Sequence, residues 1–596
     1  MKNLTDTYQK RLENLTLAAS LQKRRLQLSS LFRLGIFISI GWTAYKAFGG
    51  SYPYALATIL LLAFFAYLVA RHQDLKYESR RLAELIDLNS TELRVLDGDF
   101  SGLPDGSRFQ ESGHDFSADL DLFGPRSFFQ YLNRTGLPAG AQMLARWLSS
   151  NEVSGLPEKQ QAIQELVPQM EWRQDYTATS RMIRTPVSAN ELTSWIQGYL
   201  PSIPSWISYL APLFSVVSVG VGIAVGFGLL PLGAIILLFF GGLLITAGFA
   251  KRIGQLAAIT GKMQETLRQY GQLVALLENQ SFQSAILQEQ QNELLGQGQP
   301  VSKVLKRLNR LINALDQRNN LLVAIFGNAF FLWDLRQGYA IEKWIDTYGG
   351  KVSGWFDVLA LMDAYNSLAN FGYNHPQYTY PVLSEDPSLV MEASGLAHPL
   401  IFEEVVTNDF RIARGNFIVI TGANMAGKST FLRSVALAIL MANAGLPVSA
   451  TYMAYTPTPL ISSMRTSDSL SRQESYFFAE LKRLKKIVDR LEAGPYFVVL
   501  DEILKGTNSK DKAKGSREFL ERLLKMQATG LIATHDLSLC EVADELEAVH
   551  NYFFDAQIRD GELYFDYRFK PGVCSNMNAS FLLRKLGVVK GESEEA

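Results

Sequence analysis

The run Gly422-Ala423-Asn424-Met425-Ala426-Gly427-Lys428-Ser429 has the residue types and spacing of a phosphate cradle, G-x-x-x-x-G-K-[ST]. Its two glycines let the loop close with backbone N–H groups turned inward, and Ala423, Asn424, Met425 and Ala426 supply the groups between them. Lys428 is placed to reach the outer phosphates of a triphosphate and Ser429 to offer a hydroxyl to Mg²⁺. Thr430 opens a helix whose positive end faces the same anion. The chemistry implied is the binding of ATP with Mg²⁺. Downstream, Asp501 and Glu502 form an acidic pair. The first suits the metal shell and the second suits polarising an attacking water. Further on, His535 in Thr534-His535-Asp536 is a candidate γ-phosphate sensor.

These groups act together only if the fold brings them to one edge. Phe417–Thr421 (FIVIT), Tyr496–Leu500 (YFVVL) and Leu531–Ala533 (LIA) are short apolar runs of the kind that form buried parallel strands. Each ends at one of the polar clusters, so each puts its chemistry at a strand's carboxyl end, where open α/β sheets bind ligands. The expected fold is an α/β P-loop NTPase domain.

TGANMAGKST, DEILKGTNS and THD together resemble the ATPase domain of the MutS family of DNA mismatch-repair proteins, and the Asn-Met inside the loop is far more specific than a generic cradle. His398-Pro399 and Asn408-Asp409 resemble that family's approach to the first ATPase strand, and Ser467–Glu480 its signature segment. The resemblance implies that Ser475 acts in trans on the γ-phosphate held by the other subunit. It also implies that Phe569–Gly572, with Ser575 and the helix after it, forms a dimerising tail. Two composite sites in a homodimer follow. The chain departs from the family at Leu504-Lys505, at Gln473-Glu474, at Asp536, and at Val405 or Val406, where an adenine-stacking aromatic would precede Asn408.

The rest of the chain is of another kind. At 596 residues it should hold several domains, because single cores stop growing near about 250–300 residues. A net charge of −1 gives no global basic field for nucleic acid. Cys540 and Cys574 are the only cysteines, which excludes a disulfide scaffold and a cysteine-based zinc site. Leu34–Phe48 and Tyr54–Ala70 are apolar, separated by GGSYP, and Ile207–Ala250 carries no charged residue and divides at Gly226–Pro231. Each segment is about as long as a membrane span requires, ~17–20 residues, the first with Leu31 and Phe32 added and Lys46 snorkelling, so two transmembrane helical hairpins are expected. Lys23, Arg24, Arg25 and Arg33 precede the first hairpin; Arg71, Lys76, Arg80 and Arg81 follow it; Lys251 and Arg252 follow the second. Neither turn carries a basic residue, so the N-terminus, the middle and the C-terminal domain are expected in the cytoplasm. The first apolar block begins too far in for a signal peptide. Leu321–Trp333 is apolar but only 13 residues long, and a buried core helix is expected there.

Phe128–Leu148, Gln161–Glu171 and Arg252–Asn319 show helical periodicity and resemble the MutS core domain. The expected organisation is a cytoplasmic N-terminal helix (1–30), hairpin one (31–70), a linker (71–118), the first part of an all-α core (119–204), hairpin two (205–250), a helical lever and second core part (251–385), and the ATPase domain (386–596). The first hairpin stands where the family's mismatch-reading domain would be, and the second near its DNA clamp. Phe402-Glu403-Glu404 has the letters of the mismatch wedge but lies in the approach to the ATPase strand. Lys303, Lys306, Arg307 and Arg310 read as a solvated helix face.

The leading expectation is a membrane-anchored MutS-like ATPase, a homodimeric switch in a bacterial inner membrane, with DNA and an unidentified protein as further candidate partners. The alternative is a DNA-repair factor held at the membrane. An ABC-type transporter ATPase lacks support because the LSGGQ signature is absent.

Overall fold

In the computed structural model, residues 2–183, 188–296, 298–465, 476–504, 508–559 and 562–574 are described. The N-terminal region is all helical, and a C-terminal α/β domain with mixed sheets follows.

Two long helices, α1 (Lys2–Phe48) and α2 (Tyr52–Leu96), form the first hairpin. The turn between them uses Gly50 at φ +86°. Toward this tip the hairpin exposes Phe37, Ile38, Trp42, Leu56, Ile59 and Leu60, and Thr58 Oγ1 donates to Thr43 Oγ1 at 3.0 Å between the helices. At the other end it sinks into the protein, where Tyr8, Leu82, Leu85 and Leu88 are buried. Both helices run through the expected boundaries at residues 30 and 70. The expected linker 71–118 comprises the second half of α2 and a loop that carries the buried Phe116. Charged residues after the apolar block do not stop a helix when leucines at helical spacing keep one face against the body.

The joint is polar. Arg134 Nε and Glu92 Oε1 lie 2.5 Å apart with both side chains almost fully buried. Asn370 and Asn374 also donate to Glu92, at 3.1 and 2.8 Å, and Tyr8 Oη donates to Asn374 Oδ1 at 2.8 Å. Arg134 and the helix Val352–Asn374 thus meet on the carboxylate of α2, and α1 joins them through Asn374. Breaking such a buried pair from one side costs about 3–5 kcal/mol.

The second hairpin is α3 (Ile207–Gly226) and α4 (Gly233–Ala247), and α4 continues through a 64° bend into α5 (Ala250–Glu278). By length and composition, three helices among the described residues could cross a membrane, or four if the bent pair counts as one span. The segment Leu321–Phe331 is not the buried core helix expected from sequence. It forms a π-helical turn (Val323–Gly327) and a short helix (Asn328–Phe331) against the second hairpin, with Leu321, Leu322 and Phe326 exposed. Apolar character alone does not distinguish a core from an exposed apolar face.

The helical body centres on α6 (Val352–Asn374), which is buried along most of its length. In helix Val301–Asp316, Val304, Leu305, Leu308 and Ile312 face inward, while Lys303, Lys306, Arg307 and Arg310 are exposed.

The α/β domain contains two sheets. Strands β1 (Val382–Leu383), β2 (Leu389–Leu396), β3 (Asn408–Ala413) and β5 (Tyr452–Tyr455) form one, in the order β1-β5-β2-β3. Strands β4 (Phe417–Gly422), β6 (Leu460–Ser463), β7 (Phe497–Asp501), β8 (Thr529–Ala533), β9 (Val549–Arg559) and β10 (Glu562–Pro571) form the other, in the order β10-β9-β4-β8-β7-β6. Five of these six run parallel, and β10 is antiparallel to β9. Helix α7 (Lys428–Asn443) is buried through nearly all its residues, which is why its sequence is apolar on every face. One hydrophobic core runs from the helical body into this domain. Asp119 reinforces the seam by accepting from Ser462 Oγ at 2.6 Å and from Arg483 at 3.1 Å.

Candidate active site

Strand β4 is buried from end to end between β8 and β9, and it delivers Gly422 at φ +142°. A Cβ at that position would stand 2.5 Å from the Phe554 carbonyl oxygen on β9, so only glycine lets the loop leave the sheet there. The loop turns through Met425 (φ +67°) and Gly427 (φ +105°) into α7. The N-terminus of α7 has no side-chain cap, which leaves its first N–H groups to serve an external acceptor.

Lys428 lies back along the loop. Its Nζ donates to the Gly422 and Ala423 carbonyl oxygens at 2.8 and 3.0 Å and stands 3.3 Å from His535 Nε2. Burial pushes its pKa below the usual lysine value, against the opposing pull of Glu502 and Asp501.

Around it, Ser429 Oγ donates to Asp501 Oδ2 at 2.6 Å. Glu502 Oε1 is 2.8 Å from His535 Nε2. Its backbone takes φ +47° while its N–H donates to the Ala533 carbonyl at 2.9 Å. That bond ties the end of β7 to the end of β8 and holds the acidic pair beside the histidine. Residues from the ends of β4, β7 and β8 therefore converge: Lys428, Ser429, Asp501, Glu502 and His535.

This donor set fits a nucleotide-bound Mg²⁺, which takes one or two carboxylates and completes its shell with phosphate and water oxygens. Ser429 and Asp501 already share a hydrogen bond where such an ion would lie. Among the described residues no cluster of three or more His, Cys, Asp or Glu side chains could hold a metal without a ligand's help.

A cavity of about 510 Å³ opens beside the loop, walled by Ile401, Val405, Val406, Asn408, Phe554 and Tyr567. Both valines that replace the expected aromatic line it, but Tyr567 supplies a ring from elsewhere. Its Cδ1 comes within 3.1 Å of where a Cβ on Gly427 would be. The ring is carried at φ +51° on an irregularity in the β9–β10 pairing between Phe565 and Phe569. Asn408 clamps this bulge. Its Nδ2 donates to the Tyr567 carbonyl at 3.1 Å, and its Oδ1 accepts from Phe569 N–H at 2.8 Å. Sequence reading missed Tyr567, because no local pattern tells which residue of a bulged strand turns toward a loop some 140 residues earlier. His398 also lines the cavity; burial, with Arg433 nearby, lowers its pKa to about 4.

The departures have structural roles. Asp536 caps the turn Leu537–Glu541, accepting from Ser538 N–H at 3.0 Å. Leu504 is buried at φ +59°, and its N–H donates to Glu480 Oε1 at 2.6 Å. Phe402 is exposed at its outer edge, and its ring packs on Phe100 and Tyr131 with centroids 6.2 and 5.4 Å away. Ser475, Gln473, Glu474, Lys505 and the tail from Ser575 lie outside the described residues.

Residues 418–583 match MutS domain V. Its α/β domain thus matches the MutS family. It is similar to the DNA mismatch repair protein MutS of Methanosarcina mazei, 30% identical over 267 residues, which covers 43% of this chain and 29% of that protein. The DNA mismatch repair protein MutS of Salinibacter ruber is 31% identical over 229 residues, 36% of this chain and 25% of that protein. DNA mismatch repair protein MSH4 of Arabidopsis thaliana is 29% identical over 238 residues, 39% of this chain and 30% of that protein. The chain therefore spans less than a third of each of these MutS relatives.

Proposed function

We propose that this chain is a membrane-anchored MutS-type ATPase in which ATP binding and hydrolysis drive a conformational switch in a homodimer. The observation that carries this reading is the convergence of Lys428, Ser429, Asp501, Glu502 and His535 beside the uncapped start of α7. The N–H groups of residues 423–430 bind the phosphate oxygens, and Lys428 swings from the loop carbonyls to the β/γ-phosphates. Ser429 and Asp501 would hold Mg²⁺, which would supply positive charge beside the phosphates. Glu502 accepts a proton from the attacking water, and His535 orients Glu502 and senses the γ-phosphate. Little covalent chemistry falls to the protein in phosphoryl transfer, so positioning of these groups is the main task. Tyr567 stacks on the base. Ser475 reaches the partner's γ-phosphate in trans, a role that rests on family resemblance alone.

The membrane part of the proposal rests on the exposed apolar faces of the two hairpins, with the N-terminus and the ATPase domain on the cytoplasmic side of a bacterial inner membrane. The buried Glu92 cluster, which joins α1, α2, α6 and Arg134, gives motion in the body a stiff route to the first hairpin. A second reading, a repair factor held at the membrane and acting on DNA, draws on the names of the MutS relatives.

The deciding test is the ATPase rate of the full chain in nanodiscs, with and without homoduplex or single-mismatch DNA, over a salt series. A rate indifferent to DNA supports the membrane-coupled switch and directs the search to a protein partner. Mismatch-dependent stimulation supports the repair reading. Absence of any Lys428-dependent hydrolysis overturns both.

A further inference from the structure

We infer that residues 321–331 form a third membrane element, a re-entrant loop that enters the lipid beside the second hairpin and returns to the same side. The inference rests on the membrane reading of that hairpin.

No charged residue occurs between Arg318 and Asp334. Within that interval Leu321, Leu322 and Phe326 are 72, 65 and 52% exposed. A water-facing loop has no reason to present such a surface, and α4, the helix it packs on, also exposes Leu237, Phe240 and Leu244 on its outer side. The segment packs directly on the other side of α4. The Phe239 ring meets Phe326 and Phe330 at centroid distances of 6.2 and 5.8 Å. Gly242 is one of the few buried positions of α4, and a Cβ there would collide with the Ala329 carbonyl oxygen.

These contacts set the depth. Gly242 and Phe239 precede the end of α4 at Ala247 by five and eight residues, or about 7 and 12 Å at 1.5 Å per residue. A hydrocarbon core is about 30 Å thick, so the segment reaches less than half-way. It then turns back at Leu332 (φ +47°). Its base is closed by Arg318 Nε and Asp334 Oδ2 at 3.5 Å, and by Trp333 Nε1 donating to the Ala314 carbonyl at 2.7 Å.

Irregular backbone at membrane depth must find its hydrogen bonds within the protein. Asn328 supplies them. Its Nδ2 donates to the Ala324 carbonyl and its Oδ1 accepts from Asp334 N–H, both at 2.9 Å. A buried asparagine at the break of an otherwise apolar segment is thereby explained. Lipid is favoured over a protein partner because every exposed side chain of α4, the helix on which the segment packs, is apolar.

The test uses the full chain in nanodiscs, with an environment-sensitive fluorophore on Leu322→Cys, on Val216→Cys in the middle of α3, or on Leu383→Cys in the α/β domain. Protein without an introduced cysteine corrects for Cys540 and Cys574. Quenchers are carried either on lipid acyl chains or in water as iodide. The expected result is lipid quenching at 322 at least half as strong as at 216, none at 383, and weak iodide quenching at 322. Lipid quenching at 216 but not at 322 overturns the inference and leaves the hairpin intact, whether 322 is then open to iodide or covered by another protein surface. Lipid quenching at neither position overturns the inference together with the membrane reading. Adding Gly242→Val should lower lipid quenching at 322 and leave it unchanged at 216; no change at 322 would remove the packing on which the depth argument stands.

Discussion

Ser429 Oγ and Asp501 Oδ2 are 2.6 Å apart although 72 residues separate them in the chain. One opens α7 and the other closes β7. Their proximity places a hydroxyl and a carboxylate on the same point in space. Asp501→Asn should leave the fold intact and remove the benefit of Mg²⁺ to ATP binding. ATP affinity titrated with Mg²⁺ and with chelator should differ clearly in the parent and hardly at all in the variant. Each tenfold corresponds to about 1.4 kcal/mol. A variant that keeps the full Mg²⁺ effect would place the metal elsewhere.

Lys428→Ala and Glu502→Gln should separate binding from chemistry. The first removes the ammonium that bridges loop and phosphates, so equilibrium ATP binding should be lost. The second keeps the shape and the hydrogen bond to His535 but removes the base. General-base removal typically costs about 10²–10⁴-fold in rate, so this variant should bind ATP normally and turn over very slowly. Single-turnover measurements distinguish a slow chemical step from slow product release.

Tyr567→Ala tests the base platform. Aromatic–base stacking is worth about 1–3 kcal/mol by alanine substitution. ATP affinity should fall accordingly, while inorganic tripolyphosphate, which has no base, should bind as before. An equal loss for both ligands would mean that Tyr567 acts only by shaping Gly427.

Gly422→Ala meets two obstacles at once, a φ of +142° and the Phe554 carbonyl oxygen 2.5 Å from the new methyl. The expected cost is about 1–3 kcal/mol. It should appear as a lowered apparent melting temperature together with weakened ATP binding, read by thermal unfolding with and without nucleotide.

Glu92→Ala should strand Arg134 in a buried site at a cost of about 3–5 kcal/mol. The same change paired with Arg134→Met removes both charges and should recover much of the loss. Limited proteolysis of α1 reports whether the hairpin has come loose from the body. If the single variant is as stable as the parent, the cluster is not what joins the two.

The chemistry-bearing residues were legible because each sits in a short contiguous motif at the end of an apolar run, and such runs become strands wherever a sheet can bury them. The structure brings together Lys428, Ser429, Asp501, Glu502 and His535, as their places at strand ends require. The base side of the cavity was not legible. Val405 and Val406 line its wall, but the aromatic ring there comes from Tyr567, on a strand irregularity that depends on Asn408 reaching across two sheets. The expected domain limits near residues 30 and 70 do not coincide with helix ends. They were drawn where hydropathy changes, whereas α1 and α2 continue because their polar halves still have an apolar stripe to bury.

By itself, the sequence determined which groups have the types and spacing of a phosphate cradle and in what order they come along the chain, since a loop of Gly422–Ser429 is built from neighbours and needs only local geometry. It also determined that four apolar stretches exist. Tertiary structure alone decided that β4 lies between β8 and β9, that Asp501 therefore meets Ser429, that Tyr567 faces Gly427, and that Leu321–Phe331 lies on α4 and not in the core. The physical reason is the same in each case. These relationships are contacts between residues far apart in the chain, chosen by sheet order and by which surfaces bury one another, and no local propensity carries that information.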